Sequence, residues 1–464
     1  MISERIQVAI LDDGVDASKL SSSCKVIQDW IVEANGRVRP RRTEDFYLAF
    51  HGTRCAAIIE AYARNVEFIS LCIFDTAMLR TEGGKLIAAL EWCLEQKVPV
   101  IHMSVGTQLL ADYEALRRVT ARLVKENQMI IAAGSNSGAF TMPACLNGVL
   151  GVAAEKELTG NAYRFHFFGN GLSIGASASH LLSIGESTVQ TSRANSYAAP
   201  TVTAAVCRIL KEEGTEKRGN CVGMFQKLLP GEAYHALHPD FVEDALVLNL
   251  SGKELCREQF FFSFREVVFC LEDSLFQKNL EGRNCLVILP GEDYCQKERV
   301  LAFVEQHPEA FDGILYGGRE KKRLEGLREK MLVWQEDDCG IAGWKRSRRK
   351  RREEGIPYVL IQTERQEGVQ LACDLQRRFQ EMEYQCIAAS NWEYAYLYGL
   401  EYIPPGAEPE QVKEYLEEVF VPDLVILLDR QGEDWGLGED EVYKVREEEF
   451  AEKELYEKIV GYFS

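Results

Sequence analysis

Asp12 in LDDGVD, His51 in HGTRCA, Asn136 in AAGSNSG and Ser196 in NSYAAP carry between them the groups that acyl transfer through a serine requires. A serine hydroxyl is a weak nucleophile until a neighbouring imidazole takes its proton, and the imidazole can do so only if a buried carboxylate fixes its tautomer and steadies the imidazolium. Asp12, His51 and Ser196 supply those three groups. The tetrahedral intermediate also needs a donor aimed at its oxyanion, a role that the side-chain amide of Asn136 suits. Singly the motifs are bland: an Asp-Gly or His-Gly pair reads as a turn, and a Ser ahead of Ala-Ala-Pro as a helix cap. Their conjunction in one chain is what points to a site.

Each group needs an element to hold it. The apolar run that closes in Asp12 predicts a buried parallel strand delivering the carboxylate at its carboxyl end. HGTRCAAII predicts a helix with His51 at its amino terminus. NSYAAPTVTAAV predicts a small-residue helix, from near Ala198 to about Glu213, with Ser196 at its partly positive mouth. Pro200 then belongs in the first turn, where a missing N–H costs nothing.

The order Asp, His, Ser and the residues around each resemble the subtilisin-like serine peptidases, the subtilases. VAILDDGVD is similar to that family's apolar run closing in Asp-x-Gly, HGTRCAAII to its His-Gly-Thr-His-x-Ala-Gly, and NSYAAP to its Gly-Thr-Ser-Met-Ala-x-Pro. VIHMSVG, Val100 to Gly106, resembles the edge strand on which the family lays the substrate backbone. The resemblance implies that Ser104, Val105 and Gly106 bind substrate, and that with Ala132, Ala133 and Gly134 they wall the pocket for the residue before the scissile bond. Gly106 and Gly134 would leave those walls open. MPACLNGVLGVAA, Met142 to Ala154, resembles the stretch after the oxyanion Asn. All these segments fall in family order within roughly the first 210 residues.

What the resemblance implies is a subtilisin-like α/β fold, a mainly parallel sheet flanked by helices, with Asp12, His51, Ser196 and Asn136 catalytic. The Ser196 backbone N–H would share the oxyanion. Three departures bear on activity. Ala194 and Asn195 stand where the family has Gly-Thr, putting a Cβ where glycine turns freely; Tyr197 replaces Met, and Arg54 replaces the second His. Cys55, four residues after the base, predicts sensitivity to mercurials.

Composition places the chain. Its 464 residues, 46% hydrophobic, suffice for two or three globular domains, expected at 1–213 (catalytic), 214–344 (a connector and an α/β domain) and 345–464 (a further α/β domain for substrate recognition). No apolar run reaches membrane-span length, and MISERIQVAIL is unlike a signal peptide. The strand bearing Asp12 follows at once, so no room is expected for an inhibitory prosegment. The 14 cysteines, without CxxC pairs, suit free thiols in a reducing cytoplasm. His102 lies in an apolar strand run and is expected to be packing, while His166, His180, His235 and His238 lack metal-ligand spacing. No metal and no cofactor are expected.

The second half alternates strand and helix: strands at Ala245 to Leu250, Gln259 to Phe269, Asn284 to Asp293 and Gly313 to Tyr316, with a helix at Gln296 to Gln306. Cys221 to Pro239 reads as a mostly helical connector. After the charged run Lys345 to Arg352 come strands at Tyr358 to Glu364, Gln385 to Ser390 and Asp423 to Asp429, with helices at Gln370 to Met382 and Gln411 to Phe420. Such alternation predicts parallel sheets. The acidic tail, with Glu439, Glu441, Glu447, Glu448 and Glu449, reads as an exposed amphipathic helix.

This half resembles, on pattern and a few residues such as Asn391-Trp392 and Pro422-Asp423, the α/β accessory domains of bacterial systems that mature ribosomal peptides. No phosphate loop follows its strands. The basic run WKRSRRKRREE sits in a chain of net charge −19, which favours a solvated linker over nucleic-acid binding; docking an acidic leader peptide is its other use. The expectation is a cytoplasmic serine endopeptidase acting on a peptide or protein, by preference a leader-bearing ribosomal precursor, with no nucleic-acid or membrane partner. A general degradative protease and a catalytically idle peptide-binding module are the alternatives.

Overall fold

The computed structural model describes residues 5–21, 25–45, 50–64, 66–74, 81–214, 219–268, 270, 284–344, 355–450 and 454–463; the basic run at 345–352 lies outside them. Two compact units emerge. One comprises Met1–Gln108, Asp112–Tyr234 and Arg328–Leu332, the other Leu109–Ala111, His235–Leu327 and Val333–Ser464.

In the first unit, strand β1 (Ile6–Asp12) is buried at all but one position, as a strand covered on both faces must be, which is why it reads as a continuous apolar run. Around it run β2 (Lys25–Val32), β3 (Val38–Pro40), β4 (Val66–Cys72), β5 (Val100–Met103), β6 (Met129–Ala133), β7 (Val149–Ala154), β8 (Tyr163–Phe165) and β9 (Ile174–Ala176). Their order is β3-β2-β4-β1-β5-β6-β7-β9-β8, parallel except for the outer pairs β2–β3 and β8–β9. The chain goes to one side of β1 for β2 to β4 and to the other for β5 to β9, making β1 the switch point where open α/β sheets leave a crevice beyond the strand ends. Asp12 is the last residue of that strand.

Helices α1 (His51–Tyr62), α2 (Gly83–Glu95), α3 (Tyr113–Lys125), α4 (Asn195–Glu213) and α5 (Cys221–Leu228) complete the unit. The small buried side chains Ala198, Ala199, Ala204 and Ala205 let α4 lie close to α1 and to β5, β6 and β7. A hairpin of β10 (Leu181–Ile184) and β11 (Ser187–Gln190) leads towards α4.

Several expectations change here. Helix α4 begins at Asn195, earlier than expected, so Pro200 lies in its second turn. Strand β5 is interior, paired with β1 and β6 up to Met103, so only Ser104 to Gly106 run beyond the ladder. The connector is helical only through α5, because Pro230 and Gly231 end the pattern.

The second unit holds two five-stranded sheets. The first, from β12 (Asp244–Asn249), β13 (Ser263–Val268), β14 (Asn284–Leu289), β15 (Phe311–Tyr316) and β16 (Leu332–Gln335), has the order β13-β12-β14-β15-β16, with helix α6 at Tyr294–Gln306. The other comprises β17 (Tyr358–Gln362), β18 (Cys386–Ser390), β19 (Glu401–Tyr402), β20 (Leu424–Asp429) and β21 (Val442–Val445), ordered β19-β18-β20-β17-β21 and parallel throughout. Helices α7 (Glu367–Glu381) and α8 (Pro409–Phe420) cross between its strands. The expected parallel alternation is present. Among its described residues the acidic tail is not one helix: β21 adds an edge strand beside β17, burying Val442 and Val445, and only Leu455–Phe463 is α-helical (α9).

Trp334 on β16 is 1% exposed, packs against Tyr396 and donates its indole N–H to the Leu237 carbonyl at 3.1 Å. Trp334→Ala is expected to destabilise this unit by about 3–5 kcal/mol, read as a lower urea midpoint; an unchanged midpoint would contradict this core.

Candidate active site

At the end of β1 two adjacent carboxylates are buried. Asp12 Oδ2 lies 2.8 Å from His51 Nδ1, and Asp12 Oδ1 accepts the Asp13 N–H at 2.8 Å. Asp13 accepts the backbone N–H groups of Phe50, His51 and Gly52 at 3.0, 3.0 and 2.8 Å. These are the orphan donors of a helix amino terminus, so the residue beside Asp12 anchors the helix start from which His51 projects. A Cβ on Gly52 would come within 2.4 Å of the Gly14 carbonyl oxygen, so only glycine permits this approach. Burial, then the neighbouring Asp12, raises the Asp13 carboxyl above its ordinary range.

His51 Nε2 lies 3.1 Å from Ser196 Oγ. Carboxylate, imidazole and hydroxyl thus form one hydrogen-bonded line from β1 through α1 to α4. Burial works against charge on His51, but the charge and hydrogen bond of Asp12 together with the neighbouring Cys55 outweigh it and raise the imidazole above its usual value. Cys55, one turn on, places Sγ 3.7 Å from His51 Nδ1 and 3.9 Å from Asp12 Oδ2. Burial pushes its thiol up, keeping it protonated. Donor atoms of Asp12, His51 and Cys55 lie within 4.8 Å of one another, the one such potential metal-binding group among the described residues.

Asn136 is brought to the serine loop. Its Oδ1 accepts the Asn195 N–H at 2.9 Å, which leaves Nδ2 as the donor. The Ser196 N–H belongs to the first turn of α4, where helices leave N–H groups unsatisfied. Asn195 ties this loop to the sheet: its Nδ2 donates to the Gly134 and Ser135 carbonyls at 3.0 and 2.9 Å, and its Oδ1 accepts the Ala154 N–H at 2.8 Å. Ala194 has φ −100° and ψ 150°, ordinary extended backbone, so its Cβ imposes no strain. The other two departures meet: Arg54 Nη1 donates to the Tyr197 hydroxyl at 3.1 Å, and the Tyr197 ring lies 4.9 Å from the His51 ring.

Ser104, expected in a pocket wall, turns its side chain to the serine loop: its hydroxyl donates to the Ser196 carbonyl at 2.8 Å. Val105 is partly buried and Gly106 exposed, while Ala132, Ala133 and Gly134 are buried. Neither glycine stands beside open space on its side-chain face. A Cβ on Gly106 would meet the Met142 carbonyl oxygen at 2.7 Å, and one on Gly134 would meet Leu172 at 2.3 Å. A pocket of about 400 Å³ opens next to Asn136 and Asn195, with Lys156, Arg193, Glu155 and Ser179 among its lining. Glu155 is engaged by Arg164 and by His166, the latter at 2.6 Å.

The anchoring role of Asp13, the ties made by Asn195 and the pairing of Arg54 with Tyr197 were not legible in the motifs. The first had a signal, the doubled Asp of LDDG; the others act through partners distant in sequence.

Residues 3–220 match the model of the subtilase family. The subtilisin-like protease PopC of Myxococcus xanthus (strain DK1622) is 29% identical over a match covering 32% of this chain and 37% of the relative, so the chain spans little more than a third of that relative's length. Similar solved structures include a lanthipeptide protease (15% identity, 46% of this chain and 75% of that one, TM-score 0.35). The epidermin leader peptide processing serine protease EpiP of Staphylococcus aureus gives 17%, 46%, 68% and 0.35 for the same quantities, and a serine-to-alanine mutant of the protease domain of PatA gives 21%, 46%, 83% and 0.35.

Because Asp12 raises His51, the neutral imidazole should appear only above the ordinary His value of about 6.5. An NMR titration should place the His51 midpoint above that value, and Asp12→Asn should lower it; an unmoved midpoint would contradict the pairing. Mercuric chloride should block alkylation of His51 by a chloromethyl ketone in the native protein and not in Cys55→Ala. Equal block in both would remove Cys55 from the site.

Proposed function

We propose that the chain, whose residues 3–220 match the model of the subtilase family, is a serine endopeptidase cleaving peptide bonds through an acyl-enzyme on Ser196. The observation that carries this reading is the line Asp12–His51–Ser196, with contacts of 2.8 and 3.1 Å. His51 Nε2 takes the Ser196 proton as Oγ attacks the substrate carbonyl carbon. Negative charge then collects on the carbonyl oxygen, where Asn136 Nδ2 and the Ser196 N–H donate to it. The C–N bond breaks as His51 returns the proton to the leaving amine. Water repeats the sequence on the acyl-enzyme, with His51 again base and then acid, and frees the acid.

The substrate we infer is a leader-bearing peptide precursor, cut in the cytoplasm. Two features support it. Every cysteine among the described residues is a free thiol, as in reducing compartments. The second unit builds two five-stranded sheets, and its sequence pattern resembles accessory domains of peptide maturation. No described helix is long and apolar enough to cross a membrane.

Hydrolysis by the full chain tests the chemistry. Ser196→Ala and His51→Ala should abolish turnover, and Asn136→Ala should lower kcat by about 100-fold or more with KM little changed. Lys125→Ala, exposed on α3, should change neither; an equal loss there would sink the assignment. Cleavage of a leader-bearing precursor with casein spared is expected, whereas casein digested equally fast would mark a general protease.

A further inference from the structure

The carbonyl of Ser196 has lost its helical partner. In an α-helix it would accept the N–H of the residue four positions on, which here is Pro200, inside α4 and without an N–H. Ser104 supplies the missing donor, Oγ to Ser196 O, at 2.8 Å. Cys55 Sγ, 3.8 Å from the same oxygen and 3.4 Å from Ser104 Oγ, is only a weak second donor. The peptide plane that follows Ser196 is therefore held from the segment just beyond β5 rather than by its own helix.

What makes Ser104 donate in that direction is a proton count. Behind it, His102 is fully buried, with Nε2 3.1 Å from Ser104 Oγ and Nδ1 2.9 Å from Thr203 Oγ1. Burial pushes this imidazole down to about 3, so it is neutral and carries one proton. If that proton sat on Nδ1, Nε2 would be an acceptor, and the single Ser104 hydrogen would have to serve both Nε2 and the Ser196 carbonyl. If it sits on Nε2, every contact along the line is satisfied: Thr203 O–H donates to Nδ1, Nε2–H donates to Ser104 Oγ, and Ser104 O–H donates to Ser196 O. Thr203 then gives up only its 3.1 Å bond to the Ala199 carbonyl, which the Thr203 backbone N–H already serves within the helix.

We propose that His102 is a positioning residue for Ser196: an Nε2–H imidazole, set by Thr203, that commits the Ser104 proton to the carbonyl orphaned by Pro200. The proposal rests on the reading of Ser196 as nucleophile. It gives a function to a histidine that its apolar strand marks as packing. The imidazole touches neither substrate nor a reacting atom; it fixes the backbone from which Oγ projects, and a displaced nucleophile costs rate rather than binding.

Two measurements test it. In protein labelled with 15N-histidine, and with His102 assigned by its loss in His102→Gln, two-bond 1H–15N spectra should show a neutral ring with its proton on Nε2. A proton on Nδ1 would overturn the proposal. In parallel, Ser104→Ala and His102→Leu should each lower kcat and the rate of fluorophosphonate acylation roughly tenfold at unchanged KM. The double variant should fall no further than Ser104→Ala, since His102 acts only through Ser104. His102→Gln, which keeps an N–H at the ε position, should recover most of the rate. Additive losses, or a His102→Leu chain as fast as native, would refute the coupling. Thermal melts confirm folding; should His102→Leu not fold, His102→Gln and the spectra still decide. A native chain that takes no phosphonate would fail the protease reading, while the tautomer alone would judge the proton order.

Discussion

Two neighbouring carboxylates at the end of one buried strand set the geometry on which the site depends. Asp12 and Asp13 could not share that position unless donors were brought to both. Asp13 takes three backbone N–H groups at the start of α1, and Asp12 takes the Asp13 N–H and the imidazole of the first residue of that helix. Satisfying buried charge and orienting the imidazole are thus one arrangement. The close approach it needs explains Gly52, where any side chain would strike the Gly14 carbonyl.

The Ser196 hydroxyl is held differently. Ser196 lies in the first turn of a helix packed over the sheet, and its surroundings are fixed from β6, β7 and β5: through Asn195 to the Gly134, Ser135 and Ala154 backbones, and through Ser104 to its own carbonyl. The departures from the family pattern fit their surroundings. Ala194 has a backbone conformation open to any residue, and Tyr197 spans the space between His51 and Arg54.

The sequence disclosed what depends on residue type and local spacing. Asp12, His51, Asn136 and Ser196 each sit in a short segment whose element is set by its neighbours, and the parallel sheets of the second unit follow from apolar runs alternating with amphipathic helices. Contacts between distant segments stayed hidden: nothing local in VIHMSVG says that Ser104 turns towards Ser196, or that His102 meets Thr203 a hundred residues on. Short edge elements escaped for a related reason. β21 is four residues among acidic neighbours, and only its pairing with β17 makes it a strand. The late position of Pro200 follows from a helix start at Asn195 that no side-chain cap marks.

Intact mass after incubation with a fluorophosphonate probe, native chain against Ser196→Ala, tests the central claim most directly, because only a serine activated by its base forms the adduct. The account predicts a single adduct on the native protein and none on the variant. A folded native protein that gains no mass, or an adduct that survives in Ser196→Ala, would contradict it.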